Sequence, residues 1–131
     1  MQIVIDSNVW ISAIVFGGNP RRIFERAISE GWTIAVSEEI FTEIRRVLNI
    51  KFPDFVDDFE NFQTLLQPYC AKVRLGGINV TICRDEDDNR IIETALIGTA
   101  EYIITGDKDL LILSSHEKIT IVTPLAFLDK I

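Results

Sequence analysis

Two acidic residues follow short apolar runs of this chain, at positions from which they can take part in chemistry. Asp6 comes directly after residues 3–5, and Asp107 comes after residues 102–106. Both runs are typical of strands in a parallel sheet that is covered on its two faces. Ligands of such sheets bind beyond the carboxyl ends of the strands. We therefore expect Asp6 and Asp107 to lie at one edge of a sheet, where a ligand would bind.

Two further acids are predicted to lie on or beside the apolar faces of helices. Glu43 stands between Ile40 and Val47, at i−3 and i+4, and Asp88 precedes Ile91 by three residues. An unpaired carboxylate is costly to bury, so at these positions each acid is expected to bind a hydrogen-bond donor, a basic side chain or a cation. Carboxylates that converge on one place suit Mg²⁺, which takes oxygen ligands and spreads the charge of a phosphate. The pattern favours a metal-dependent nuclease.

Each acid also has an ordinary structural interpretation. Asp6 and Asp107 occupy positions where aspartate often caps a helix or supports a turn. Glu43 can extend to solvent from the edge of its helix face, and Asp88 belongs to an acidic run of the kind that begins a helix. Spacing alone leaves both interpretations open for each residue.

Polar neighbours of the strand-end acids are candidate supporting residues. Asn8, two residues after Asp6, can orient that carboxylate or hold a metal-bound water molecule. The hydroxyl groups of Ser7 and Thr105 lie next to Asp6 and Asp107 in the chain and can bind a metal-bound water or a phosphate oxygen. Either hydroxyl is equally suited to a hydrogen bond within a turn.

Composition indicates a soluble globular protein of one domain, residues 1–131. The chain has 131 residues, of which 47% are hydrophobic and 25% charged, and it is long enough to bury a core. Its two cysteines, Cys70 and Cys83, form no zinc or disulfide motif and are expected to be reduced. No signal peptide or membrane span is predicted, so we expect a cytoplasmic protein.

The net charge of −7 is unfavourable for binding nucleic acid, which depends on lysine and arginine. Two features reduce the difficulty. Bound Mg²⁺ would offset part of the charge of the candidate ligands, and the basic residues are grouped locally, at Arg21-Arg22, Arg45-Arg46-Lys51 and Lys72-Arg74. We expect weak binding of free nucleic acid.

Strands and helices are predicted to alternate along the chain, which indicates a parallel sheet with helices on both faces. The predicted strands are residues 3–5, 33–36, 71–75, 80–83, 102–105 and 120–123. The predicted helices are residues 9–15, 19–31, 37–48, 53–68, 88–100 and 107–113, and a C-terminal helix from Pro124 with Leu125 and Leu128 directed inward.

Four segments together resemble the PIN domain family. They are IVIDSNVWISA at residues 3–13, SEEIFTEIRRVL at 37–48, CRDEDDNRIIETALIGTAEYIITGDKDLL at 83–111 and IVTPLAFL at 121–128. The resemblance covers nearly the whole chain and is closest to toxin components of toxin–antitoxin systems, of the VapC type. It implies a three-layer α/β/α sandwich with a central, mostly parallel sheet.

The resemblance also implies an activity and a set of site residues. PIN domains bind Mg²⁺ or Mn²⁺ through acidic residues and hydrolyse RNA, so the implied enzyme is a metal-dependent endoribonuclease. The family's acids correspond to Asp6, Glu43, Asp88, Asp107 and Asp109, and its polar positions to Asn8 and Thr105. In the implied reaction Asp6 and Asp88 are the firmest ligands, and Glu43 and Asp107 hold a second ion or its water molecules. Asp109 assists or replaces Asp107 in holding that second ion. A separate antitoxin protein and a homodimer are the expected partners, the dimer also because the segment 55–62 is rich in phenylalanine.

Three alternatives compete with this hypothesis. A receiver-type signalling domain needs a second acid beside Asp6 and an aspartate after the middle strand, where Ser37 stands. A haloacid-dehalogenase-like phosphatase needs aspartate at the position of Asn8. A non-catalytic PIN-fold scaffold that binds RNA or protein remains the main alternative, although such scaffolds typically lose some of the acids.

Overall fold

The computed structural model describes all residues from Met1 to Ile131 and contains one six-stranded sheet. The strands are β1 (Gln2–Ile5), β2 (Thr33–Ser37), β3 (Cys70–Val73), β4 (Tyr102–Ile104), β5 (Ser115–His116) and β6 (Ile119–Val122). The helices are α1 (Ser7–Val15), α2 (Gly18–Glu30), α3 (Glu38–Lys51), α4 (Val56–Leu66), α5 (Glu86–Ile97), α6 (Lys108–Leu111) and α7 (Pro124–Lys130). Two 3₁₀ turns, Pro53–Phe55 and Gln67–Tyr69, flank α4.

The sheet has the order β3-β2-β1-β4-β6-β5, and every neighbouring pair is parallel except β5 with β6. Successive residues of a strand point to opposite faces, and Ile3, Val4 and Ile5 are all at most 1% exposed. Both faces of the sheet are therefore covered. Helix α5 packs across β1, β2 and β4, while α1 packs against α2, α3 and α4. The expected α/β/α sandwich with a mostly parallel sheet is confirmed.

The helix boundaries follow from local chemistry. Gly31 ends α2 in a left-handed conformation, φ +71°, that glycine adopts without steric cost. The hydroxyl of Ser37 accepts a hydrogen bond from the backbone N–H of Ile40 and so caps α3. Asp85 caps α5 by accepting from the N–H of Asp87, which leaves Asp88 free of a capping role.

Two predictions about the elements are wrong, and one strand was missed. Residues 80–83 form no strand, and the antiparallel strand β5 was not predicted. In α7, Leu125 is 57% exposed, whereas Phe127 is fully buried against Trp32 and Tyr102. The large ring fills the space between α7 and the sheet, and this turns Leu125 to the surface.

No helix is both long enough and apolar enough to cross a membrane.

Candidate active site

The register of the two central strands brings their carboxyl ends together. Ile5 of β1 pairs with Ile104 of β4, so the residues that follow, Asp6 and Thr105, are neighbours across the sheet. The backbone N–H of Asp6 donates to the carbonyl of Ile104, 2.9 Å away. Both predicted strand-end positions therefore lie at the same edge. The candidate site is built from this edge and from the helices α1, α3 and α5 beside it.

Asp6 is 4% exposed and held by a full set of hydrogen bonds. Its Oδ1 accepts from the backbone N–H of Ser7 at 2.7 Å, and the Ser7 hydroxyl oxygen lies 3.4 Å from it. Its Oδ2 accepts from the Thr105 hydroxyl at 2.7 Å and from the Asn8 amide at 3.1 Å. Burial raises the pKa of Asp6, and the charge of Asp107 raises it further, against the lowering effect of the Thr105 and Ser7 bonds. The carboxylate is fixed in one orientation.

Glu43 is tied to Asp6 through one hydroxyl group. The Ser7 Oγ donates to Glu43 Oε2 at 2.8 Å and also lies near Asp6 Oδ1. Burial raises the pKa of Glu43, and the charges of Asp87 and Asp6 add to that effect. The side chain is 24% exposed, and Arg46 Nη2 lies 3.9 Å from its Oε1. Glu43 thus points into the site and not along the outer surface of α3.

Three aspartates from the first turn of α5 and from the start of α6 form a compact group, which we call the acid cluster: Asp88, Asp107 and Asp109. One carboxylate oxygen from each lies within 4.8 Å of the others. Asp107 also accepts a hydrogen bond from the backbone N–H of Asp109 and so caps α6. The structure brings Asp109 into the cluster together with Asp107, whereas Asp6 and Glu43 lie outside it.

Asp88 is a buried acid with a strongly raised pKa. The residue is 6% exposed, and burial together with the charge of Asp107 raises its pKa to about 7. The nearby charges of Asp6 and Asp85 act in the same direction. Carboxylates crowded in this way carry negative charge that the surrounding chain does not neutralise. Such a perturbed group in an open site is a mark of function.

The polar residues expected to support the acids do so by hydrogen bonds. The Asn8 amide donates to Asp6, and its Oδ1 accepts from the backbone N–H of Gly106 at 3.1 Å. The Thr105 hydroxyl donates to Asp6 and accepts from the backbone N–H of Asp107 at 2.9 Å. Thr105, fully buried, is therefore the direct connection between Asp6 and Asp107.

Three supporting residues were not found from the sequence. Asn89 of α5 is 3% exposed and bonds both the N–H and the carbonyl of Cys83, at 2.8 and 3.1 Å. Glu93, one turn later, accepts from the N–H of Gly76 at 2.6 Å. These bonds attach the loop between β3 and α5 to the helix. The sequence does contain a signal for them, because Asn89 and Glu93 are polar residues four positions apart that share one face of α5.

The third missed residue is Arg84, which that loop carries to the acid cluster. Its Nη2 lies 3.2 and 3.0 Å from the two carboxylate oxygens of Asp109. The Arg84 side chain is 87% exposed, so solvent weakens the attraction. Arg84 offsets the charge of Asp109 and leaves Asp88 and Asp107 as the unpaired acids of the cluster.

The donors of the acid cluster fit a hard divalent cation. Only carboxylate oxygens are present, without histidine or cysteine ligands, and this donor set suits Mg²⁺ or Mn²⁺. The raised pKa of Asp88 agrees with this, because a cation would offset the negative charge that burial and the charge of Asp107 disfavour. Asp6 differs from the acids of the cluster as a candidate ligand. Both of its carboxylate oxygens already accept hydrogen bonds, and a cation would have to share these oxygens with the donors.

The raised pKa of Asp88 predicts how stability and metal binding change with pH. The metal-free native state holds a proton on Asp88 between about pH 4 and pH 7, where the unfolded chain, with a pKa near 3.8, does not. This group therefore lowers the stability of the metal-free protein as pH rises from about 4 to about 7. Over the same range Mn²⁺ binding should strengthen, since a cation competes with the proton. Above pH 7 both effects should level off.

Melting curves at pH 5.5, 6.5, 7.5 and 8.0, with EDTA and with Mn²⁺, measure this dependence. The increase in melting temperature caused by Mn²⁺ should be smallest at pH 5.5 and should reach its maximum by pH 8.0. The Asp88→Asn variant, which cannot titrate at this position, is the matched control. An equal Mn²⁺ effect at pH 5.5 and pH 8.0 in the native sequence would contradict the prediction.

Comparison with known proteins decides the family. The model of the PIN domain family matches residues 2–109 of this chain. The chain belongs to the PIN domain family. An uncharacterized protein of Methanocaldococcus jannaschii is 33% identical over 122 residues, which are 90% of this PIN domain chain and 78% of that protein. The predicted family is thus confirmed, and the receiver-domain alternative is excluded.

A solved structure shows the same fold at low sequence identity. It is the crystal structure of VapBC2 from Rickettsia felis bound to a DNA fragment from their promoter. The match has a TM-score of 0.62 and 12% identity, and it covers 92% of this PIN domain chain and 97% of that one. At this identity the likeness concerns the fold alone.

Proposed function

We propose that this PIN domain protein is a ribonuclease that hydrolyses RNA phosphodiester bonds with Mg²⁺ or Mn²⁺. The observation that carries the proposal is the acid cluster, with Asp6 and Glu43 next to it. The cluster has three carboxylates within 4.8 Å, and hydrogen bonds through Thr105 and Ser7 join the remaining acids to it. Membership of the PIN domain family supports the same activity.

Each residue of the site has a proposed task. Asp88 and Asp107 hold the cation, with Asp109 available once Arg84 releases it, and Asp6 and Glu43 complete the ligand set. A bound divalent cation would supply positive charge for the phosphate and lower the pKa of a water molecule. Thr105, Asn8 and Ser7 keep Asp6 and Glu43 oriented, so the carboxylates need little rearrangement when substrate arrives.

We further propose that the protein is the toxin of a toxin–antitoxin pair, located in the cytoplasm, and that it forms a homodimer. The fold similarity to VapBC2 supports the pair. The dimer needs a different surface from the one expected, because Phe59 is fully buried and Phe62 packs against Trp10. Exposed apolar side chains lie elsewhere, among them Ile112, Phe16 and Ile50, which are 82%, 74% and 69% exposed. Light scattering of the purified protein tests the dimer.

A cleavage assay tests the proposed activity. Purified protein is incubated with end-labelled single-stranded RNA, hairpin RNA and single-stranded DNA of the same sequence, with Mg²⁺, Mn²⁺ or EDTA. RNA should be cleaved with either cation and should remain intact with EDTA. Cleavage that resists EDTA would contradict the metal requirement. Intact RNA under all conditions, with Mn²⁺ shown to bind by a melting shift, would favour the non-catalytic scaffold.

A further inference from the structure

A polar cleft lies beside the acids, between helices α3 and α5. It has a volume of about 410 Å³ and no apolar residue lines it. Glu43 forms part of its wall, and the α5 residue Asp87 lies next to Asp88 in the chain. The cleft therefore begins where the proposed active site ends. Its position makes it the place where a substrate extending from the acids toward α3 and α5 would lie.

Two arginines line this cleft from opposite helices, Arg46 from α3 and Arg90 from α5. Arg90 is half-buried, and no carboxylate oxygen lies within 4.0 Å of its guanidinium. Arg46 has a contact of 3.9 Å with Glu43, at the limit of an ion pair, and its side chain is 58% exposed. A half-buried guanidinium without a partner has lost part of its hydration and gains from an anionic ligand.

The shape and charge of the cleft restrict that ligand. The guanidinium groups present planar, paired donors that match the oxygens of a phosphate. Carboxylates line the remaining wall, among them Glu39 and Asp87, and they repel an anion that is not held by the arginines. A free phosphate ion is therefore bound weakly in the cleft. A phosphate whose neighbour in the same strand is bound at the acids is held in the cleft more firmly.

On the basis of the proposed ribonuclease function, we propose that Arg46 and Arg90 bind a phosphate of the RNA strand next to the one that is cleaved. These residues then specify a polynucleotide substrate, because a small phosphodiester reaches the acids but does not extend into the cleft. They are specificity-determining residues and take no part in the hydrolysis itself. The contact also explains how a chain of net charge −7 can engage RNA locally.

The variants Arg46→Gln, Arg90→Gln and the double variant test this proposal. Arg26→Gln is the matched control, since Arg26 is an arginine of α2 with a 42% exposed side chain that belongs to none of the basic groups and does not line the cleft. Steady-state cleavage of a single-stranded RNA with Mn²⁺ should show KM raised about tenfold in the double variant, as expected for lost charged contacts, with kcat within about twofold. Hydrolysis of bis(4-nitrophenyl) phosphate, a small diester, should be unchanged in Arg90→Gln, because the Arg90 guanidinium contacts none of the proposed ligands. The control should match the native protein on both substrates.

A binding measurement separates this proposal from the proposed function. Fluorescence anisotropy of the labelled RNA with Mn²⁺, on a time scale shorter than cleavage, should show about tenfold weaker binding by the double variant. Its logarithmic salt dependence should also be shallower by roughly 0.7 for each lost phosphate contact. If the native protein binds RNA in this way without cleaving it, the proposed activity fails and the phosphate contact stands. Equal binding by the double variant and the control, or no RNA binding by the native protein, overturns the contact.

Discussion

Replacing Asp88 with asparagine is expected to abolish metal-dependent RNA cleavage while raising the stability of the metal-free protein. The substitution removes one buried carboxylate from the acid cluster, where burial and the charge of Asp107 raise the pKa of Asp88 to about 7. Removal of this buried charge and of its repulsion by Asp107 stabilises the fold without metal. Loss of a residue that only hydrogen-bonds a metal ligand lowers activity about 10–100-fold. Loss of the ligand itself should have a larger effect, so activity should fall by more than about 100-fold.

The same variant should lose most of its response to Mn²⁺. A ligand at a hundredfold excess over its Kd stabilises the native state by about 2.7 kcal/mol. In a domain of this size that raises the melting temperature on the order of 10 °C. Melting curves with Mn²⁺ and with EDTA measure both effects, and Asp129→Asn, an exposed acid of α7, is the matched control. An identical Mn²⁺ response in Asp88→Asn and the native protein would mean that Asp88 is not a ligand.

Replacing Thr105 with valine should weaken both the fold and the activity, although the side chain keeps its size. The fully buried hydroxyl donates to Asp6 Oδ2 at 2.7 Å and accepts from the backbone N–H of Asp107 at 2.9 Å. Valine leaves two buried polar groups short of a partner, which costs about 1–3 kcal/mol. The loss of orientation at Asp6 should lower activity by about 10–100-fold.

Thermal unfolding and RNA cleavage, measured on the same preparations, test this effect. Thr105→Ser keeps the hydroxyl and should recover most of the activity, at the expense of a small cavity where the methyl group was. Recovery by serine separates the hydrogen bonds from the packing. Native activity and native melting temperature in Thr105→Val would show that the bridge between Asp6 and Asp107 has no role.

Local periodicity was sufficient to predict the elements that carry the site. The run Ile3–Ile5 has no polar residue and forms the fully buried part of β1. Asp88 continues the apolar stripe of α5 and lies on its buried side, as the spacing to Ile91 predicted. These predictions succeeded because a residue's face on a strand or helix depends only on its position in the repeat.

Short or irregular segments were less predictable, because few residues determine their orientation. Helix α7 has seven residues, too few for one apolar stripe to be distinguished from another. Phe127, and not Leu125, occupies the buried face, since the aromatic ring fits against Trp32 and Tyr102. Residues 80–83 are apolar in part but form no strand. Asn89 and Glu93 instead hold the loop around them to α5.

The sequence by itself determined which acids reach the carboxyl edge of the sheet, because a parallel strand delivers the residue that follows it to that edge. Only the tertiary structure decided how those acids are grouped. It joined Asp109 with Asp88 and Asp107 and enclosed Asp6 in hydrogen bonds from Ser7, Asn8 and Thr105. These contacts connect residues up to 99 positions apart, and their distances depend on strand register and helix packing. Local spacing contains no information about either.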